Sequence, residues 1–479
     1  MSEHTAPDPR RWRILSVSLL VGFMSLLDVT IVNVAIPSIR SGLDTSAGTV
    51  QWVVSGYALA FGLTLVAGGR LGDAHGRRRM MTIGLVGFVL ASAAVGLAQG
   101  PAWIVAARLA QGASAGLLTP QNSGLIQQYF SGAERGRAFG LFGFTVSLAS
   151  ATGPLIGGAI IALVGEEQGW RWLFLVNVPI GLVALVLIRR LVPADPGGGD
   201  PRIDVVGAAL LGLTVLAVLY PLVSVESDAL LPLVLLLGVL PLGWGFVHWE
   251  RRTVAREHPP LLDVSLLRKL PGYADGLAVG TLYFTGFTGI FLVLSVHLQE
   301  GLDLSALDTA LLVTPFAIGA ASTSLVAGRL VSRLGRRITL LSLGVMMTGT
   351  ALAAVLVVAD TGDLWWTLAP ALFLAGVGGG GVISPNFTLT LADVPPAMGG
   401  AAGGALQTGQ RIGSALGAAL LMTVYQFALG LTSAPVAARS ALVAGLVVLS
   451  VAMLVAVRTA RYDATLAAAA PPRSRAGGG

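Results

Sequence analysis

The sequence contains no cysteine among its 479 residues, and only 11% of the residues are charged. The missing cysteines exclude disulfide bonds, thiol catalysis and thiolate metal sites. The low charge excludes an ordinary soluble protein, because a soluble fold of this length needs more charged side chains to cover its surface. Lysine is nearly absent as well: Lys269 is the only one, so arginine carries almost all of the positive charge.

Patterns that would indicate catalysis or nucleotide binding are also missing. The five histidines are scattered without metal-ligand spacing, so we predict no metal site. No Walker-type loop occurs, and the glycine-rich run at 376–381 lies in an apolar stretch without the strand–loop–helix context of a nucleotide site. The arginines lie between apolar runs and form no basic face, which disfavours nucleic acid as a partner. We therefore predict neither an enzyme nor an ATP-driven protein.

What the sequence does contain is long apolar runs. Several carry no charge over about 18 residues or more, roughly the length that crosses a bilayer as a helix. The 63 glycines lie within these runs, as expected where small residues let membrane helices approach closely. Hydropathy predicts about fourteen spans. They lie near 13–38, 49–70, 80–98, 102–129, 138–163, 171–189, 205–223, 229–249, 273–298, 307–328, 338–358, 365–391, 401–429 and 437–457.

The arginines predict the orientation of these spans. They cluster in alternate loops, as at 77–79 and 333–337, whereas the loops between carry acids such as Glu166 and Asp363. An excess of Arg marks the cytoplasmic side of a membrane protein. We expect a multi-pass protein of the bacterial cytoplasmic membrane with both termini in the cytoplasm. The first run is too long for a signal peptide, so we predict that it is an uncleaved span.

An internal repeat predicts how the spans are grouped. The tripeptide at 69–71 recurs at 328–330, and the tripeptide at 76–78 recurs at 335–337. Parallel repeats are typical of secondary transporters, which bind substrate between the halves. We predict a cytoplasmic N-terminus (1–12), an N-terminal six-helix bundle (13–190), two inserted helices (203–250), a cytoplasmic linker with room for a short amphipathic helix (251–271), a C-terminal six-helix bundle (272–458) and a disordered cytoplasmic tail (459–479).

Four motifs resemble signatures of one family. The loop segment 69–78 resembles the signature of the major facilitator superfamily, and 27–37 resembles the first-helix signature of its drug:proton antiporters. The run at 153–158 resembles the fifth-helix antiporter signature, and 170–181 is typical of the fourteen-helix branch. The resemblance implies an all-α integral membrane protein with the major facilitator fold. It also implies a monomeric exporter of small hydrophobic compounds that takes its energy from the proton gradient, without a cofactor, by alternating access.

Asp28 is the only acid that lies deep inside a predicted span. A carboxylate at that depth costs several kcal/mol, so a function is the default interpretation. The resemblance assigns this position a proton-coupling role. The alternative is a structural carboxylate permanently paired with an arginine.

Arg108 is the predicted partner of Asp28. At about 1.5 Å per residue, Asp28 lies about 15 Å and Arg108 about 10 Å from the same end of their spans, so they can meet. Arg108 shares a helical face with Gln111 and Asn122, which we interpret as a cavity wall. The resemblance implicates this arginine in proton transfer. Alternatively, it reaches outward to the membrane surface.

The resemblance also implies a gate and a kink. In the loop motif, Asp73 can accept hydrogen bonds from a helix N-terminus and pair with an arginine, and the glycines permit a tight turn. The repeat has Ser332 in its place, which predicts a weaker latch there. The gating residues are Gly69, Arg70, Gly72, Asp73, Gly76, Arg77 and Arg78, and the kink residues, which we also expect to pack closely on a neighbouring helix, are Gly153, Pro154, Gly157 and Gly158.

Other polar residues within the spans are candidates for substrate contact or for hydrogen bonds between helices. They are Asn33, Tyr57, Gln111, Gln121, Asn122, Tyr283, Asn386, Gln407, Gln410 and Arg411. Asp275 lies near the inner end of its span, as an interfacial acid or a second protonation site. With one embedded acid, the sequence favours neutral or monocationic hydrophobic substrates. Rival hypotheses are an importer or symporter of the same fold and a non-transporting membrane sensor or scaffold.

Overall fold

The computed structural model describes residues 8–195, 197, 202, 204–223, 230–359 and 364–469. Within these ranges it contains sixteen α-helices and no strand. The helices are α1 (Arg11–Gly42), α2 (Ala47–His75), α3 (Arg77–Gly96), α4 (Pro101–Tyr129), α5 (Gly132–Val164), α6 (Glu166–Leu175), α7 (Asn177–Leu191), α8 (Val205–Val223), α9 (Leu230–Ala255), α10 (Leu266–Lys269), α11 (Pro271–Val296), α12 (Ala306–Leu334), α13 (Arg336–Leu356), α14 (Leu364–Thr390), α15 (Gly399–Leu429) and α16 (Ala434–Ala469).

The described helices are those of a multi-pass membrane protein. Eleven helical segments are long and apolar enough to cross a bilayer. Large apolar side chains such as Leu163 and Leu240 lie exposed on the outside of the bundle, where lipid rather than water would cover them. The prediction of about fourteen spans goes beyond these eleven and stays a prediction.

Three segments differ from their predicted form. The sixth span is two helices, α6 and α7, with Val176 between them, because Pro179 has no N–H to donate back to the preceding turn. In the linker, α9 continues to Ala255 and only the four-residue α10 follows it, while Leu261, Leu262 and Val264 are buried against the bundle instead of forming a surface helix. Helix α16 continues to Ala469, so the first part of the predicted disordered tail is helical. Residues 470–479 lie outside the described part of the chain.

The helices pack as two groups that meet along two seams. In the first group α4 lies against α2 and α3, and α5 lies against α1. In the second, α14 packs on α12 and α13, and α11 packs on α15 and α16. The seams are formed by α2 with α15 and by α5 with α12, while α8 pairs with α9 and also touches α2 and α15.

Backbones touch directly at both seams. A Cβ atom on Gly69 would overlap the backbone of Gly400, and one on Gly328 would overlap that of Gly140. Only glycine permits such an approach. Both contacts lie toward the loop-motif end of the bundle, so the two groups are closed against each other there.

Candidate functional site

Asp28 is buried inside the first helical group and forms an ion pair. Its side chain is 0% exposed and that of Arg108 is 1% exposed. Nη1 of Arg108 lies 2.7 Å from Oδ2 of Asp28. Helices α1 and α4 thus meet through a charge pair inside the protein, as the sequence predicted, and Arg108 does not extend to the surface.

Two amides complete the shell around the carboxylate. Gln111 on α4 and Asn177 on α7 each donate from the side-chain nitrogen to Oδ1 of Asp28, both at 2.9 Å. Both amides also donate to Oγ of Ser92 at 3.1 Å, and Ser92 donates in turn to the carbonyl of Phe174 at 2.9 Å. The carboxylate therefore accepts hydrogen bonds from two helices besides the ion pair.

The guanidinium of Arg108 makes further hydrogen bonds and ring contacts besides the ion pair with Asp28. Its Nε donates to the carbonyl of Val53 at 2.9 Å, and its Nη1 also donates to Oε1 of Gln111 at 2.8 Å. Its Cζ lies 4.2 Å from the centroid of the Tyr57 ring and 5.3 Å from that of Phe174. These contacts fix the cation at Asp28, so a proton arriving on the carboxylate would leave a buried cation without its counter-charge.

The network contains residues that the sequence analysis missed or assigned elsewhere. Ser92 had no signal in the sequence, whereas Asn177 lies in the 170–181 motif as an amide within an apolar span. Gln111 was a substrate-cavity candidate, but it binds Asp28. The predicted cavity-wall face of α4 is packed: Gln111, Ala115 and Asn122 are almost fully buried, because α1 and α2 both lie against α4, and Gln111 and Asn122 hydrogen-bond to residues of α1.

Asp73 joins the end of α2 to the start of α15. Its carboxylate accepts hydrogen bonds from the backbone N–H of Gly400 at 3.0 Å and of Ala401 at 2.9 Å. Nη2 of Arg77 donates to the same carboxylate at 2.9 Å and to the carbonyl of Pro396 at 2.7 Å. An acid at a helix N-terminus is stabilised by the helix dipole and by the free N–H groups. The predicted arrangement of Asp73 is present and links the two helical groups.

The turn and packing around this contact depend on the motif glycines. Gly76 has φ = 94°, in the left-handed region that glycine adopts at low cost. Gly72 lies against the side chain of Gln121, and Arg78 donates to the carbonyl of Arg189 at 3.0 Å. Arg70 is half-buried, and its Nε has no hydrogen-bond partner among the described residues.

The second copy of the motif forms no equivalent contact with any described residue. Ser332 donates only to the carbonyl of Arg329 in its own helix, at 3.4 Å. Arg336 pairs with Asp463 on α16 at 2.6 Å, so its contact stays within the second helical group. The latch is therefore one-sided, as the serine at this position predicted.

The antiporter motif on α5 agrees with its predicted packing only in part. Helix α5 runs without interruption from Gly132 to Val164. Gly153 packs directly on Thr30 of α1, and Gly157 is buried. A Cβ on Gly158 would have no described atom within 4 Å, so the close approach predicted for it is wrong, since no described helix comes that near to this side of α5. The side chain of Pro154 lies outside the described part of the structure.

Several substrate-cavity candidates instead satisfy hydrogen bonds between or within helices. Gln121 donates to the carbonyl of Gly68 at 2.9 Å, and Tyr283 donates to that of Gly379 at 3.0 Å. Further contacts of this kind are Ser18 Oγ to Asn122 Oδ1 (2.5 Å), Tyr57 OH to the carbonyl of Ser25 (3.4 Å) and Thr390 Oγ1 to Asn386 Oδ1 (3.4 Å). Asp275, predicted as an interfacial acid or a second protonation site, accepts a hydrogen bond from Thr459 Oγ1 at 2.6 Å.

A second subset of these candidates lies on α15. Gln407 and Gln410 are buried, and Nε2 of Gln407 has no hydrogen-bond partner among the described residues. Arg411 is only partly buried, and its Cζ lies 4.7 Å from the centroid of the Phe61 ring across the α2–α15 seam. The side chain of Asn33 lies outside the described part of the structure.

Comparison with known proteins shows which family has a similar sequence. The profile of the Major Facilitator Superfamily matches residues 18–418. The probable actinorhodin transporter of Streptomyces coelicolor is 39% identical over 433 residues, which cover 88% of this chain and 74% of that protein. The puromycin resistance protein pur8 of Streptomyces alboniger is 39% identical over 427 residues, covering 87% and 82%.

A solved structure supports the fold independently of sequence. The crystal structure of the human organic anion transporter MFSD10 (TETRAN) matches with a TM-score of 0.67 over 94% of this chain and all of that one, at 15% identity. A likeness at this identity bears on the fold alone. Together with the profile and the bacterial relatives, the two helical groups joined at their seams show that the chain belongs to the Major Facilitator Superfamily of membrane transporters.

Proposed function

We propose that this protein is a proton-coupled exporter that moves small hydrophobic, antibiotic-like compounds out of a bacterial cell in exchange for protons. The observation that carries the proposal is the buried Asp28–Arg108 pair inside the membrane-spanning helices. A carboxylate kept at that depth is costly without a function. We further propose that the protein has fourteen spans, lies in the cytoplasmic membrane with both termini inside, and works as a monomer without a cofactor.

The relatives support export of antibiotics. The two Streptomyces relatives are a probable actinorhodin transporter and a puromycin resistance protein. Each aligns with more than four-fifths of this chain, so the resemblance includes both helical groups and not only the motif regions.

Alternating access supplies the mechanism. The Asp73 latch and the glycine seams close one end of the bundle, and the excess of arginine in the loops at that end supports a cytoplasmic orientation for it. The described conformation is then closed to the cytoplasm. Proton binding at Asp28 would free Arg108 from its counter-ion, which changes the electrostatics among α1, α4 and α7. A site whose proton affinity differs between two states couples protons to the conformational cycle.

Everted membrane vesicles test the direction and the energy source. In vesicles from a host without its own exporters, an acidic lumen should drive accumulation of labelled puromycin, and nigericin should abolish it by dissipating the gradient. Vesicles without the protein are the control. Accumulation in right-side-out vesicles instead would indicate an importer, and no gradient-dependent movement in either orientation across an antibiotic panel would favour the sensor hypothesis.

Asp73→Ala should open the cytoplasmic end more often. It removes the hydrogen bonds that Asp73 accepts from Gly400, Ala401 and Arg77, and hydrogen bonds to a charged group each contribute about 1.5–3 kcal/mol. The ratio of closed to open forms should fall by about tenfold or more. Because the chain lacks cysteine, maleimide labelling of a Ser123→Cys probe, buried against Gly403 at the seam, can measure this opening.

The matched control for the latch is Ser332→Ala, the same position in the second motif copy. Its hydroxyl bonds only within its own helix, so labelling of the Ser123→Cys probe should stay unchanged. Equal labelling in the Asp73→Ala and Ser332→Ala backgrounds would contradict the latch.

A further inference from the structure

A second arginine lies inside the membrane-spanning helices without an acidic partner. Among the described residues, Arg411 on α15 makes no ion pair, and its one specific contact is the Phe61 ring, 4.7 Å from Cζ. Its side chain is partly buried and keeps accessible surface, although it lies between α15 and the Phe61 ring of α2. A side chain that lies between two packed helices and is still accessible borders an accessible space between them.

The position of Arg411 places that space beyond the closed seam. Helices α2 and α15 touch where Gly404 lies against the backbone of Leu65. Arg411 is seven residues further along α15, about 10 Å at about 1.5 Å per residue. Gln407 and Ser414 share its helical face, and Ser414 accepts a hydrogen bond from Thr288 of α11 at 3.0 Å. The guanidinium thus lies between the two helical groups, on the side away from the latch.

Arg411 is also connected to the proton site through two aromatic rings. Cζ of Arg108 lies 4.2 Å from the Tyr57 centroid, the centroids of Tyr57 and Phe61 are 5.9 Å apart, and Phe61 lies under Arg411. The two arginines therefore bracket a pair of rings on α2. Arg108 is neutralised by Asp28, whereas Arg411 has no counter-charge among the described residues.

A guanidinium without a counter-ion is expensive in such surroundings, and its aromatic contact compensates only in part. The planar fork of donors matches carboxylate-like groups, which it binds in bidentate fashion. We propose that Arg411 binds the anionic group, such as a carboxylate or sulfonate, of an aromatic substrate whose ring lies beside Phe61. The inference deepens the proposed export function and rests on it for transport. It replaces the preference for neutral or monocationic substrates derived from the single embedded acid.

A matched pair of dyes tests this recognition in the purified full-length protein in nanodiscs. 8-Anilinonaphthalene-1-sulfonate and N-phenyl-1-naphthylamine share one aromatic skeleton and differ by the sulfonate. Energy transfer from the protein's tryptophans, corrected with empty nanodiscs, reports the dye bound to protein. The wild type should bind the sulfonate dye at least about tenfold more tightly than the neutral dye. Arg411→Gln should abolish this preference and leave binding of the neutral dye within about twofold.

Two further variants separate recognition from general packing. Arg411→Lys keeps the positive charge and should retain part of the preference. Arg171→Gln removes another arginine that stacks on a ring, 4.4 Å from Trp170, and should leave the preference unchanged. Equal affinity of the wild type for both dyes, absence of saturable binding, or a parallel loss of both dyes in Arg411→Gln would overturn the proposal.

The dye experiment and the vesicle experiment can fail independently, so a failure of the anion site can be distinguished from a failure of the export function. If the wild type shows the Arg411-dependent preference but everted vesicles accumulate neither puromycin nor 8-anilinonaphthalene-1-sulfonate, recognition of anions stands and export is wrong. If vesicles pump puromycin while neither dye is preferred, export stands and the anion site is wrong.

Discussion

Asp28→Asn is expected to reduce gradient-driven transport to the level of vesicles that lack the protein. The amide keeps the volume of the side chain and part of its hydrogen bonding to Gln111 and Asn177, but it cannot gain or lose a proton. The variant should also stop releasing protons when substrate binds, which a pH-indicator dye can follow with purified protein in weakly buffered detergent. Loss of both signals with normal folding would identify Asp28 as the proton carrier.

The matched control is Asp275→Asn. Asp275 is also an acid on a membrane-spanning helix, but it accepts a hydrogen bond from Thr459 near the helix end and makes no ion pair among the described residues. We expect its transport and proton release to stay close to the wild-type values. Gradient-driven transport that survives in Asp28→Asn would refute the proposed mechanism. Loss of proton release in Asp275→Asn would show that an acid of the second helical group carries the proton, contrary to the proposal.

Arg108→Gln should strongly destabilise the protein. Removing one partner of a buried ion pair costs about 3–5 kcal/mol, because the remaining charge has lost its compensation. The variant also loses the hydrogen bond to the carbonyl of Val53 and the stacking on Tyr57. Denaturation in detergent, followed by circular dichroism, should show a free energy of unfolding that is lower by about this amount.

A double variant separates charge from packing. In Asp28→Asn/Arg108→Gln no uncompensated charge remains, so part of the lost stability should return. Arg171→Gln is the control, since Arg171 donates to the backbone carbonyls of Gly96 and Ala98 and stacks on Trp170 without an acidic partner among the described residues. Arg171→Gln should cost clearly less than Arg108→Gln. A double variant less stable than Arg108→Gln would show that packing, rather than charge, dominates at this site.

Local features of the sequence were enough to predict the charged residues of the candidate site. Asp28 and Arg108 were recognisable because ionisable groups are rare in apolar spans, and helical rise alone placed them at comparable depth. The contact of Asp73 with a helix N-terminus was predicted because the chemistry of a carboxylate beside glycines leaves few other partners. The membrane-spanning character followed from composition and from runs without charge.

The shell around Asp28 could not be predicted, because it depends on which faces of distant helices meet. Ser92 and Asn177 lie 85 residues apart in sequence, and the hydrogen bond between them beside the carboxylate forms only after α3 and α7 have packed. Gln111 was predicted to line a cavity because it is polar and lies within a span. Its polarity does not show whether its side of α4 faces a cavity or another helix. The same argument explains Gly158, which had the residue type for close packing but no described helix close beside it.

The sequence by itself determined that the chain crosses a membrane many times, that its halves repeat, and that one acid lies at depth, because hydrophobicity and charge are properties of residues. The tertiary structure decided that Arg108 is neutralised by Asp28 whereas Arg411 has no counter-charge among the described residues. Both are single arginines in apolar helices and look alike in the sequence. Their difference arises from the packing of α1 beside α4 and of α2 beside α15, since electrostatic compensation depends on distances that only the folded chain fixes.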